Sequence, residues 1–269
     1  TFGNVLVDTG SSSLWVGASS PYIPGPNSKA TGETYSVGYD EGGATGLVYL
    51  DTVTIGSATV TNQHIGAANQ TSLPADLYPL DGFIGLSFNG SNAHTISGIS
   101  EPTNTFLDSL VEEGVIGQAL WSMVVPALDV AAGQQVGEGE ILFGGYDASK
   151  VEGEITWLDV TNEFGLFAWS FNMDGIYFGD SQISSDDFRT VSSTIHYSMG
   201  GQNFTLTSEQ YVIPPNAYAA LNITDDGRHY TWFSSAGYQA DAILGQAWLQ
   251  FFYSIYDVGN TKIGFANYA

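Results

Sequence analysis

The sequence predicts an all-β protein. Three observations point that way: short apolar, β-branched and aromatic runs recur through all 269 residues, Gly, Asn, Asp and Pro punctuate them at strand-and-turn spacing, and only one stretch carries a helical stripe. The runs begin with NVLV (residues 4–7) and TGLVYLDTVTIG (45–56). They continue through WSMVVPAL (121–128), GEILFGG (139–145), GEITWLDV (153–160) and FAWSFNMDGIYFG (167–179), and close with NFTLT (203–207), FFYSIYDV (251–258) and KIGFA (262–266). The helical exception is TNTFLDSLVEEG (103–114). There Phe106, Leu107, Leu110 and Val111 fall at i, i+1, i+4 and i+5, and Gly114 supplies a stop.

Length and composition bound the function. A chain of 269 residues with 43% apolar content can bury one large core or two smaller ones, and no low-complexity tract or linker divides it. Twenty-eight Asp and Glu stand against five basic residues, Lys29, Lys150, Arg189, Arg228 and Lys262, for a formal charge of −23. That balance argues against a nucleic-acid partner. It leans toward a protein that works in acid, where protonation of carboxylates relieves their mutual repulsion. The absence of cysteine excludes thiol catalysis and thiolate metal sites. His64, His94, His196 and His229 are scattered without ligand spacing, so no metal is expected. No apolar run approaches the ~20 residues of a membrane span. Four N-x-S/T sequons, at Asn69, Asn89, Asn203 and Asn222, in a chain poor in lysine and rich in Ser, Thr and Gly fit a secreted glycoprotein.

Two local features carry the chemistry. In NVLVDTGSSSLWVG (4–17) an apolar run delivers Asp8 to a Thr9-Gly10 turn, followed by Ser11 and, beyond, Trp15. Taken alone, Asp8 is either a turn-capping residue or a reagent. The second feature is an internal echo: Asp81-Gly82-Phe83-Ile84-Gly85 returns 160 residues later as Asp241-Ala242-Ile243-Leu244-Gly245. Each copy sets an apolar pair against a glycine, which lets another backbone approach closely and suits a strand threaded beside a functional loop.

Taken in order, VLVDTGSSSLWVG (5–17), TGLVYLDTVTIG (45–56), DGFIGLSF (81–88), GEILFGGYDASKVEGEITWLDV (139–160), FAWSFNMDGI (167–176), MGGQNFTLTSEQYVI (199–213) and AILGQAWLQFFYSIYDVGNTKIGFA (242–266) resemble a pepsin-like aspartic peptidase. The likeness is to the secreted, cysteine-free type of fungi and spans nearly the whole chain. It implies a bilobal fold with a peptide-binding cleft between the lobes, expected at 1–160 and 161–269. It implies acid endopeptidase activity on extended polypeptides, no cofactor, and a monomeric, secreted protein. Two carboxylates that hold one water and share one proton can hydrolyse a peptide bond without metal, thiol or Ser-His pair, one acting as base while the other acts as acid.

Carried over residue by residue, the resemblance makes Asp8 one carboxylate, with Thr9 and Gly10 presenting it and Ser11 placed to hydrogen-bond it. Trp15, otherwise simply core, would hydrogen-bond the flap tyrosine, which the TYSVGYDEGGATGLVYLDTV hairpin places at Tyr39. The flap tip departs from the family's small residues and reads Asp40-Glu41-Gly42. These acids are either solvated turn residues or groups that disfavour acidic substrate side chains and favour basic ones. Phe83 matches a substrate-pocket position, though it could equally be core.

Two family segments have no counterpart. The family's opening strand is missing before Thr1, so the true N-terminus is expected elsewhere, and Asp8-Thr9-Gly10 is the sole D-[ST]-G; where a second should follow MDGIYFGDSQI the chain reads SSDDFRTVSSTIHYSMGG. The C-terminal lobe is therefore expected to be truncated near 184–194, and Asp186 and Asp187, followed by Phe188-Arg189, cannot form the turn. Two other readings remain: a catalytically inactive peptide-binding or inhibitor-like pseudo-protease, and a carbohydrate-binding β-sandwich suggested by β content, aromatics and sequons alone.

Overall fold

The computed structural model describes residues 1–74, 79–129, 134–161, 166–179, 181–182, 194–234 and 241–269. They form two compact units. The first comprises Thr1–Ala119 with Thr161–Ser170, the second Leu120–Val160 with Phe171–Ala269.

The first unit is built on β1 (Val5–Asp8), β2 (Leu14–Val16), β3 (Lys29–Gly38), β4 (Gly43–Ile55), β5 (Ala58–Thr71) and β6 (Gly82–Gly85), in the sheet order β1-β6-β2-β5-β4-β3. Strands β3, β4 and β5 are successive antiparallel hairpin arms. In the first half of β4 the strand period shows directly: Ala44, Gly46 and Val48 are buried while Thr45 and Leu47 face solvent. The expected helix is α1 (Phe106–Glu112), which buries Phe106, Leu107 and Leu110. Thr105 and Asp108 close a reciprocal capping box at 3.1 and 3.0 Å, satisfying two end N–H groups that the helix itself leaves open.

The second unit holds a five-stranded sheet of β7 (Leu120–Val124), β10 (Glu140–Phe143), β11 (Val151–Asp159), β16 (Phe252–Asp257) and β17 (Lys262–Tyr268), in the order β10-β7-β16-β17-β11. A short hairpin, β8 (Ala127–Asp129) with β9 (Gln134–Val136), follows β7. A four-stranded sheet runs β13-β12-β14-β15, from β12 (Gly175–Phe178), β13 (Ser181–Gln182), β14 (Ile195–Met199) and β15 (Gln202–Leu206). Two single-turn helices, α2 (Ser208–Tyr211) and α3 (Gln246–Leu249), complete it. Its core is aromatic: Trp248 lies 4.4 Å from Phe252 and 5.0 Å from Phe265, and Phe204 closes on all three.

The all-β class holds, but compactness divides the chain elsewhere than at residue 160. Strands β7 and β11 hydrogen-bond with the C-terminal β16 and β17, and β10 pairs with β7, so Leu120–Val160 groups with the second unit. The run 167–179 is likewise not one strand. Its first residues join the first unit, where Trp169 donates to the Leu86 carbonyl at 3.1 Å and packs at a tilt against Phe88. Only Gly175–Phe178 enters a named strand. No helix among the described residues is long and apolar enough to cross a membrane.

Candidate active site

Asp8 is the last residue of β1, and what surrounds it is a crossing of three backbones. Strand β6 lies between β1, which it pairs in parallel with Asp8 opposite Gly85, and β2, which it pairs antiparallel with Trp15 opposite Phe83. The chain therefore leaves β1 at Asp8, loops over the end of β6 and returns on its far side. That loop is stitched to β6 by backbone bonds: the N–H groups of Gly85, Leu86 and Ser87 donate to the carbonyls of Ser13, Asp8 and Ser11 at 2.8–2.9 Å. Such closeness requires glycine at 85. A β-carbon there would sit 2.4 Å from the Ser12 nitrogen and 2.6 Å from the Ser11 carbonyl carbon. In the first unit, then, the apolar-apolar-glycine signal does mark a strand threaded beside a loop.

The side chains of this loop are individually placed. Asp8 is half-buried, and the Gly10 N–H donates to its Oδ1 at 2.8 Å. The expected hydrogen bond from Ser11 to Asp8 is not formed. Ser11 Oγ is buried without a hydrogen-bond partner, close to the Tyr39 phenol. Ser12, which no sequence signal singled out, shares a 2.5 Å hydrogen bond with the Ser91 hydroxyl.

The residues read as the flap form a tight turn. Tyr39, Asp40, Glu41 and Gly42 form the turn between β3 and β4, closed by the Tyr39 N–H donating to the Gly42 carbonyl at 2.9 Å. Gly42 sits at φ +86°, where a side chain would be strained. Trp15 is fully buried and donates its indole N–H to the Tyr39 hydroxyl at 2.7 Å. Phe83 stacks against both, its ring centroid 5.2 Å from that of Trp15 and 4.8 Å from that of Tyr39, each pair nearly parallel. Burial pushes the Tyr39 phenol up to about 12, the Trp15 and Ser11 groups working against that rise and the Asp8 charge adding to it. Asp40 and Glu41 are exposed.

Asp81 is a residue whose role the sequence concealed. Its carboxylate accepts from the N–H groups of Gly3 and Asn4 at 3.0 and 3.1 Å, ahead of β1. Its own carbonyl accepts from Gly17 and Ala18, just after β2. One residue thus pins both strands that flank β6. The Asn4 N–H holds its carboxyl below the usual range against the opposing effect of burial, with the Gly3 N–H assisting. The echo contained Asp81, but only the fold reveals what its carboxylate reaches.

The second copy of the echo is not the same object. Residues 242–245 form no strand, Ile243 is 68% exposed, and Gly245 is the N-cap of α3. Among the described residues nothing lies within 4 Å of where a Gly245 β-carbon would be. Asp186 and Asp187 lie outside the described residues. The four sequon asparagines, Asn69, Asn89, Asn203 and Asn222, are all exposed.

Comparison with known proteins decides what this loop belongs to. The family model for eukaryotic aspartyl protease matches residues 2–194 and 190–268. The chain belongs to that family. Polyporopepsin of Irpex lacteus is 28% identical over 313 aligned positions, covering 98% of this chain and 89% of that protein. Gastricsin of Rattus norvegicus is 27% identical, covering 97% of this chain and 76% of its own length. The crystal structure of the aspartic proteinase from Irpex lacteus superposes with a TM-score of 0.85 at 28% identity, over 98% of this chain and 90% of that one. The chain is thus an aspartic endopeptidase by family, and the carbohydrate-binding β-sandwich falls away. The two family-model segments meet at 190–194. An alignment of 313 positions against 269 residues also leaves at least 44 positions of polyporopepsin without a counterpart here.

Proposed function

We propose that Asp8 is one of two carboxylates that activate a water against a peptide carbonyl, and that its partner belongs to a second D-[ST]-G loop absent from these 269 residues. The contrast between the two echo copies carries this reading: Gly85 has the loop backbone against it, whereas Gly245 has nothing within reach among the described residues. The join of the two family-model segments at 190–194 is consistent with a loop omitted there.

In the complete site the two carboxylates share one proton, since like charges a few ångströms apart do not both ionise. The ionised one takes a proton from the water as its oxygen attacks the carbonyl carbon, and the protonated one gives its proton to the carbonyl oxygen. Collapse of the tetrahedral species returns a proton to the leaving nitrogen and frees a carboxylic acid and an amine. A lone Asp8 cannot be base and acid in the same step. The Gly10 N–H holds the Asp8 carboxyl in place, and Thr9 and Gly10 present it. Tyr39, held by Trp15 and Phe83, carries the flap over an extended polypeptide, and Asp40 and Glu41 at its tip favour basic side chains beside the scissile bond. The setting is extracellular and acidic, with glycans at the exposed sequons and a monomeric enzyme; the charge of −23 supports this.

The test is hydrolysis of a denatured protein at acid pH. The unmodified chain gives little or none. Restoring a D-T-G loop with its flanks after Ile183 yields acid proteolysis that Asp8→Asn abolishes. Robust cleavage by the unmodified chain, lost on Asp8→Asn, would instead mean that another carboxylate serves, with Asp186 and Asp187 the first to mutate. Peptide binding without turnover even after restoration would favour the inactive-module reading.

A further inference from the structure

Directly beneath the loop that follows Asp8 lies a small polar cavity of about 10 Å³, lined in part by Ser12, Ser13, Tyr35, Gln63, His64 and Asn92. Two buried polar atoms face it without a hydrogen bond of ordinary geometry. Tyr35 is 3% exposed, its hydroxyl close to the Ser13 side chain but not bonded to it; Gln63 is 2% exposed and its Oε1 accepts none. The other end of the Gln63 amide is committed, donating through Nε2 to the Asn104 carbonyl at 3.0 Å and to the His64 carbonyl at 3.4 Å. That commitment fixes the amide, so the orphan is an acceptor and cannot be exchanged for a donor by a flip.

We propose that this cavity is a binding site for a single structural water, which accepts the Tyr35 O–H and donates to Gln63 Oε1. The volume is at the threshold for one water, which needs ~10–15 Å³ and two to four polar partners. The chemistry excludes other occupants. No carboxylate lines the cavity to hold a cation, and its hydroxyls and amides are wrong for an apolar guest. The water fills both remaining needs at once, because one molecule offers an acceptor to the phenol and a donor to the amide oxygen.

The site joins two strands, β3 and β5, that the sheet separates by β4. Tyr35 stands on β3, four residues before Tyr39, which follows the end of that strand. Gln63 stands on β5, and the ring of Tyr35 crosses to it over Gly66, where a β-carbon would lie 2.6 Å from the ring. The water would thus tie the flap-bearing strand to the strand beneath Ser12 and Ser13. This inference stands on the cavity and its orphans, independently of whether the chain hydrolyses peptides.

A high-resolution crystal structure of the chain should show one ordered water within hydrogen-bond distance of both Tyr35 Oη and Gln63 Oε1. Stability of Tyr35→Phe, Gln63→Leu and the double variant should be strongly non-additive. Each single substitution lowers Tm because it strands the water or its remaining partner, and the double lowers it by clearly less than the two losses combined. Additive losses, or a crystal structure in which Tyr35 bonds directly to a protein atom with no water in the cavity, would overturn the proposal. Tyr35→Phe keeps the ring, so it preserves the packing against Gly66.

Discussion

Alanine substituted at Gly85 and, separately, at Gly245 should separate the two halves of this chain. The new β-carbon at 85 would lie 2.4, 2.5 and 2.6 Å from three backbone atoms of Ser11 and Ser12. All are closer than carbon tolerates, and none belongs to a flexible side chain that could swing away. The loop must lift off β6, disturbing the hydrogen bonds from Gly85, Leu86 and Ser87 to Ser13, Asp8 and Ser11. Overpacking ordinarily costs about 1–3 kcal/mol, and with only backbone to yield we place Gly85→Ala at about 3 kcal/mol or more. For a chain of this size that corresponds to a Tm loss of roughly 6–12 °C. Gly245 has φ −88°, which alanine adopts freely, and no described atom within 4 Å. The weaker N-cap is offset by an unfolded chain with less freedom, so Gly245→Ala should stay within about 0.5 kcal/mol of the parent. Circular-dichroism melts and urea titrations of the three proteins read the difference. If Gly245→Ala proves as damaging as Gly85→Ala, a loop does run against the second glycine and the argument for a missing one collapses; a harmless Gly85→Ala would remove the first half.

Tyr39→Phe deprives the fully buried Trp15 N–H of its acceptor and should destabilise by about 1–3 kcal/mol in chemical denaturation, while Tyr39→Phe and Trp15→Phe combined should be milder than their sum. Burial holds the His64 pKa below 6.5, with Glu33 opposing, so its neutral form favours folding. That contribution is lost as pH falls from about 6.5 through the folded pKa, and His64→Gln should raise Tm in acid relative to neutral pH. Burial pushes the Asp51 carboxyl up, but the Ser28 and Tyr22 hydroxyls and the Thr52 N–H outweigh it and hold the group below its usual value. Its stabilisation is therefore present above about pH 4 and disappears as pH falls through the folded pKa, so Asp51→Asn should flatten the decline in Tm between pH 5 and pH 2. Asp81 and Asp147 are lowered as well, while the net charge of −23 opposes stability toward neutrality. Taken together these place the Tm maximum in mild acid; a steady rise from pH 4 to pH 8 would contradict the charge argument.

The sequence by itself determined the fold class and the helix within 103–114, and it singled out Asp8, Trp15 and Tyr39 ahead of the fold. Period-two burial, turn residues and capping are local properties, and Asp8, Tyr39 and Trp15 sit inside motifs whose spacing is legible without coordinates. Local signals failed where pairing decides. Strand β5, the longest at 14 residues, reads ATVTNQHIGAANQT, too polar and too small-residued to announce itself; it is a strand because β4 and β2 hold it on both sides. Gly85 and Gly245 occupy equivalent sequence patterns, yet among the described residues only Gly85 has a backbone against it, because close approach depends on what another segment does. Asp81 was visible as a letter, but its grip on Gly3, Asn4, Gly17 and Ala18 spans more than sixty residues of chain. The unit boundary moved for the same reason: β7 and β11 belong with the strands that share their hydrogen bonds, and hydrogen bonds follow proximity in space rather than order in sequence.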